Sequence, residues 1–185
     1  MNDKTQVTID LAGVRLASIS TIFSDENVNG RVYIGNAGTL YRSNATNTGS
    51  SITDVVQVGT FAGRISSIDV ERGNPQHIIV AVSSYGVASI YESRDGGTNW
   101  SACEPTNFPD MPVRWAIFNP NDARSAFIAT DLGVWTTDFL NGSSTVWQPP
   151  VPVRGTPLVR TDRLEWRKSD KMLLAGTFGR GLWTS

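Results

Sequence analysis

Apolar and polar positions along this chain fall into short runs that recur at a nearly constant interval. Four segments carry one order: an apolar run, a turn, an aromatic, one further residue, then Ser or Thr. They run from Val32-Tyr33-Ile34-Gly35 to Tyr41-Arg42-Ser43, from Ile78-Ile79-Val80-Ala81 to Tyr91-Glu92-Ser93, from Ala126-Phe127-Ile128-Ala129 to Trp135-Thr136-Thr137, and from Met172-Leu173-Leu174-Ala175 to Trp183-Thr184-Ser185. The aromatics stand at 41, 91, 135 and 183, in steps of 50, 44 and 48 residues. The apolar runs are strand-sized, and no stretch sustains a helical period of 3.6. Three of the four turns carry glycine next to the aromatic strand, as tight hairpins require.

Repeats of this length built from short strands predict the blades of a β-propeller. Each blade is expected to hold four strands: the apolar run second, the aromatic strand third. The first strand opens on arginine in every copy: Arg15-Leu16-Ala17-Ser18-Ile19, Arg64-Ile65-Ser66-Ser67-Ile68, Arg114-Trp115-Ala116-Ile117-Phe118 and Arg160-Thr161-Asp162-Arg163-Leu164. Fourth strands are expected at Asp54 to Val58, Asn99 to Cys103 and Thr145 to Gln148. The last repeat has none of its own, whereas Gln6-Val7-Thr8-Ile9-Asp10-Leu11-Ala12-Gly13 precedes Arg15 much as Val55 to Gly63 precedes Arg64. The expectation is an all-β, single-domain propeller over 1–185. Its four four-stranded blades lie near 15–60, 61–111, 112–155 and 156–185 plus 4–13, and the N-terminal strand closes the ring by covering an open edge. The alternative is an arc of a larger propeller, completed by other chain or by a second copy.

The bulk numbers narrow the function. Sixteen basic and 17 acidic side chains leave a net charge of −1, which offers no electrostatic case for nucleic acid or an anionic membrane. The one cysteine, Cys103, excludes an internal disulfide. No apolar run reaches the length of a membrane-spanning helix.

Ser93-Arg94-Asp95-Gly96-Gly97-Thr98-Asn99-Trp100 matches the pattern Ser-x-Asp-x-Gly-x-x-Trp. It resembles the Asp box of sialidases, sortilin-type receptors, xyloglucan hydrolases and many secreted bacterial propellers. The resemblance rests on Ser93, Asp95, Gly97 and Trp100. It implies that the box lies between third and fourth strands, that Asp95 caps backbone N–H groups of the turn, and that Trp100 packs between blades. The other repeats depart from the pattern. The closing stretch, with Gly179-Arg180-Gly181 before Trp183, is similar to the last blade of secreted bacterial propellers. Secretion or display at the cell surface is the implied location.

Candidate chemistry is sparse. His77 has no second His or Cys at ligand spacing, so no metal site is expected. No phosphate-cradling loop or nucleophile elbow is present, and no cofactor is expected. Asp69, Glu71, Asp131, Asp162 and Glu165 are carboxylates that would need facing partners to cleave a glycoside. Arg15, Arg64, Arg114 and Arg160 form a register that could collar the channel and hold an anion, with Arg180 near one face. The competing reading gives each arginine a carboxylate or carbonyl of a neighbouring blade. Tyr85, Phe108, Phe139 and Phe178 in loops, and Trp115, offer stacking surfaces. The expected function is a non-catalytic binding or assembly module for a glycan or a protein loop, acting as a monomer or homodimer. Two alternatives stand beside it: a glycoside-hydrolase-type propeller or a fragment of one, and a structural component of a larger secreted or viral assembly.

Overall fold

A computed structural model describes residues 18–44, 54–105, 108–151 and 158–184. Among them, fourteen strands form four antiparallel sheets, each ordered as a meander. The first sheet holds β1 (Ile19–Ser24), β2 (Val32–Asn36), β3 (Thr39–Ser43) and β4 (Val56–Thr60). The second holds β5 (Ile65–Val70), β6 (Ile78–Val82), β7 (Ile90–Ser93) and β8 (Ser101–Ala102). The third holds β9 (Val113–Asn119), β10 (Asp122–Thr130) and β11 (Gly133–Thr137), and the fourth β12 (Thr161–Arg167), β13 (Met172–Thr177) and β14 (Gly181–Thr184).

The continuous apolar runs become second strands because sheets cover both of their faces. All five residues of β6 are buried. Three cores lie between successive sheets. Tyr33, Leu40 and Phe61 pack on Ile65, Val80 and Val82; Ile79, Ile90 and Cys103 on Val113, Ala116 and Ile128; Ala129 and Val134 on Leu164, Leu173 and Ala175. Side chains of β5 also stitch sheet two to sheet three. Ser66 donates to the Val113 carbonyl (2.6 Å), while Ser67 Oγ and Asp69 Oδ2 accept from the Ala116 and Phe118 amides (both 2.8 Å).

Several expectations change. Thr145 to Gln148 is not a fourth strand: the only pairing described there is an isolated bridge from Thr136 to Gln148. Thr145 Oγ1 is held in a tight turn by the Asn141 amide (2.8 Å), Trp147 turns inward to the Cys103 carbonyl (2.8 Å), and Pro149 and Pro150 offer no N–H to a ladder. The first strand of the first blade starts at Ile19, four residues beyond Arg15. In the first hairpin Ala37 takes the positive φ of 50°, and Gly38 is needed because a Cβ would run into the Phe61 carbonyl. The proposed closing strand, residues 4–13, lies outside the described residues. Among the described residues no core joins sheet four to sheet one, and Leu182 and Trp183 of β14 are exposed. The first and fourth sheets approach through Lys168 Nζ and Glu26 (3.2 Å).

Candidate functional site

The innermost strands β1, β5, β9 and β12 converge on a cavity of about 450 Å³, to which all four sheets contribute. Consecutive residues of these strands line it, and some of them, such as Ile68, Phe118 and Leu164, also belong to the inter-sheet cores. Phe23 and Glu26 come from the first sheet, Asp69 from the second, Trp115 from the third, and Glu165 and Trp166 from the fourth. The Arg163 guanidinium lies over the Trp115 ring, 4.9 Å from its centroid, and Trp166 stacks on Phe127 at 6.4 Å. Burial pushes the Asp69 carboxyl up to about 7, against the lowering effect of its bonds from the Phe118 and Val70 amides, and Glu26 and Glu165 push it the same way. The cavity lining therefore holds two indoles, one covered by a guanidinium and one stacked on Phe127, and a carboxyl whose pKa is raised to about 7.

The arginines stand near the other ends of the same strands. Strand pairing aligns Arg64 with Arg160, each just before its strand, and puts Ser18 and Pro112 at the equivalent positions. Arg114 falls two places later, after Val113, and Arg15 lies outside the described residues. Arg114 Nε bonds Asp131 (2.8 Å) and sits 3.9 Å from Asp162. Arg160 Nε bonds Asp162 (2.7 Å), and its Cζ lies 5.1 Å from the Phe178 ring centroid. Arg64 reaches the Ser18 hydroxyl (3.3 Å). Arg180 is exposed in the β13–β14 turn, where its carbonyl accepts the Trp183 indole N–H (3.0 Å). Tyr85 also donates to Asp131 (2.9 Å). Burial raises the Asp131 carboxyl, but its bonds from Arg114 and Tyr85 prevail and hold it below the usual range. Arg114 and Arg160 are thus paired with carboxylates, whereas Arg64 bonds a hydroxyl and Arg180 stands exposed.

The Ser93–Trp100 segment links β7 to β8. Asp95 Oδ1 accepts the Asn99 amide (2.8 Å) and the Ser93 hydroxyl (2.9 Å), and Oδ2 accepts the Asn99 side-chain amide (2.6 Å). Those bonds from Asn99 hold the Asp95 carboxyl below its ordinary range. Ser93 Oγ takes the Gly97 amide (2.9 Å), and Gly97 has φ of 92°, which suits glycine. Trp100 donates to the Val58 carbonyl (2.8 Å) and meets Phe61 edge-on at 5.1 Å, so the turn docks on the preceding sheet.

One buried polar network escaped sequence reasoning. His77 Nδ1 lies 2.6 Å from Glu71 and its Nε2 2.7 Å from Glu92. Glu92 also accepts the Gly142 amide (2.6 Å) and pairs with Arg94 (2.6 Å), which reaches the Leu140 carbonyl (2.7 Å). Sheets two and three are thus joined by charge as well as by apolar packing. The signal was Glu92 two places after Ile90, a charge in phase with a core position. Cys103 is buried beside Glu92, and burial pushes its thiol far up.

No family model matches the chain, and neither does any curated protein. Solved structures do. An ancestral GH74 enzyme matches with a TM-score of 0.65 at 19% identity, over 91% of this chain and 22% of that one. The GH74 xyloglucanase from Xanthomonas campestris gives 0.67 at 13%, over 95% and 30%. The Swd1 β-propeller domain of Myceliophteria thermophila gives 0.61 at 14%, over 89% and 50%. The fold is therefore that of β-propeller blades. The chain spans under a third of the two GH74 chains and half of the Swd1 domain.

Proposed function

We propose that this chain is a non-catalytic β-propeller module that binds a glycan in its axial cavity. The observation that carries the reading is the wall itself. Trp115 and Trp166 supply aromatic surface beside Arg163 and Phe127, and Glu26, Asp69, Glu165 and Lys168 supply polar groups around them, a combination suited to sugar rings and their hydroxyls. A protein loop bearing an aromatic would use the same faces. Arg64, Arg114, Arg160 and Arg180 would then act at the far end of the axis, as a charged rim that orients an approaching ligand. Arg15 belongs to the same proposal. Ser93, Asp95, Gly97 and Trp100 are assigned as a structural Asp box.

A second reading has its own support. Asp69 with its raised carboxyl, beside Glu26 and Glu165, supplies a proton donor and carboxylates in one cavity, which is the equipment of a glycosidase. Secretion and a monomeric or dimeric state remain part of the proposal. So does pairing of residues 4–13 with the open edge of β14, for which an arc of a larger propeller is the alternative.

Binding is tested by titrating neutral and acidic oligosaccharides while following indole fluorescence. Binding that Trp166→Ala abolishes supports the module. Release of reducing sugar that Asp69→Asn abolishes would favour the enzyme. No response to any sugar in the wild-type chain would overturn both.

A further inference from the structure

A second cleft, also of about 450 Å³, lies away from the axis between the first sheet and the β7–β8 turn. Its walls are polar: Arg31, Arg42, Gln57, Gln76, Asp95 and Thr98. Arg42 stands directly across from Tyr33 in the β2–β3 ladder. It gives Nη1 to the Gly96 carbonyl (3.0 Å), while its Nε is buried without a hydrogen-bond partner among the described residues. Arg31 gives Nε to Asn44 (2.7 Å), and its Nη1 stands 3.5 Å from Asp25 Oδ2. Four buried side-chain polar atoms lack a hydrogen bond among the described residues, and one of them, Arg42 Nε, belongs to a residue of this lining. Buried polar groups are normally satisfied, so an Arg42 edge without a bond marks a place where something else can bond. Two guanidinium groups line the cleft, and Arg31 is paired with the buried Asp25 carboxylate behind it. Asp95, at the rim, spends both oxygens on Ser93 and Asn99.

We infer that this cleft is a binding site for an acidic sugar, whose carboxylate is held by Arg42 and Arg31 and whose hydroxyls meet Gln57, Gln76 and Thr98. A planar guanidinium with an unused edge is the natural partner of a carboxylate. The amides and the Thr98 hydroxyl, with no aromatic face among them, fit the edge of a sugar rather than its plane. The site is independent of the axial cavity, and either can fail alone.

The test follows backbone amide shifts during titration with glucuronate, glucose and acetate. Glucuronate should move Gly96, Gly97 and Gln57 in a saturable way and leave the cavity residues still. Arg42→Met should weaken it at least about tenfold, the loss expected for a charge-assisted contact. Arg31→Met and Gln76→Leu, the latter at an exposed amide, should each weaken it several-fold and cover the case in which Arg42→Met fails to fold. Three results would overturn the proposal: glucose moving the same amides as strongly, acetate binding as tightly as glucuronate, or Arg31→Met and Gln76→Leu binding like wild type.

Discussion

Replacing Glu92 by Gln keeps the side chain's shape and removes its charge at the junction of sheets two and three. In the wild type the carboxylate is 3% exposed, faces His77 at 2.7 Å and takes the Gly142 amide at 2.6 Å. Hydrogen bonds to a charged group contribute about 1.5–3 kcal/mol each. The Arg94 side chain is 57% exposed, so that pair adds below about 1 kcal/mol. Relief of carboxylate desolvation offsets part of the loss. The net destabilisation is about 2–4 kcal/mol, a fall in Tm of roughly 5–12 °C for a domain of this size. Burial raises the Glu92 carboxyl, but the His77, Gly142 and Arg94 contacts outweigh it and hold the folded-state pKa below the ordinary value. A depressed folded pKa means stability present above the unfolded value, about 4.3, and lost as pH falls through the folded one. The gap between wild type and Glu92→Gln should therefore be full at neutral pH and narrow as pH falls below about 4.3. Urea unfolding followed by tryptophan fluorescence at pH 7 and pH 3.5 measures it. A gap below about 1 kcal/mol at pH 7, or one that widens in acid, refutes the reasoning.

Three further outcomes follow from single groups. Asp69 has a raised folded pKa, so its ionisation destabilises the fold as pH rises from about 4 to about 7. Its carboxyl carbon should titrate by NMR near 7, Asp69→Asn should flatten that pH dependence, and a midpoint near 4 would contradict the buried setting. Cys103 is buried and its thiol pKa is pushed up, so a thiol reagent should modify it only after denaturation. Modification at the rate of a free thiol in the native state would be the contrary result. Trp100→Ala removes the bond to Val58 and the contact with Phe61, and should cost about 3–4 kcal/mol by chemical denaturation. A cost under about 1 kcal/mol would mean that the Ser93–Trp100 turn does not anchor the first sheet to the second.

What could be read from the chain was what short-range pattern dictates. The apolar runs at Val32, Ile78, Ala126 and Met172 became β2, β6, β10 and β13 because packing on both faces leaves such runs few other stable placements. The arginine spacing misled on register. Arg64 and Arg160 precede their strands, but Arg114 lies one residue inside β9, so equal sequence intervals did not mean equal places in the sheet. Thr145 to Gln148 looked like a strand until Trp147 took a core position. The cavity was out of reach because it depends on which inner strands face one another, a long-range property. The His77–Glu92 contact spans two neighbouring strands, and only their pairing brings it together.

The account rests on four sheets fanning about one axis, so that β1 and β12 share a cavity. The most direct measurement places cysteines at Glu26 and Lys168, whose charged atoms are 3.2 Å apart, in a Cys103→Ala background, and treats the monomer with a short bismaleimide. Peptides 26 and 168 joined within a single chain are the predicted product. Cross-links found only between chains, or none at all, would mean that the first and fourth sheets do not meet around an axis.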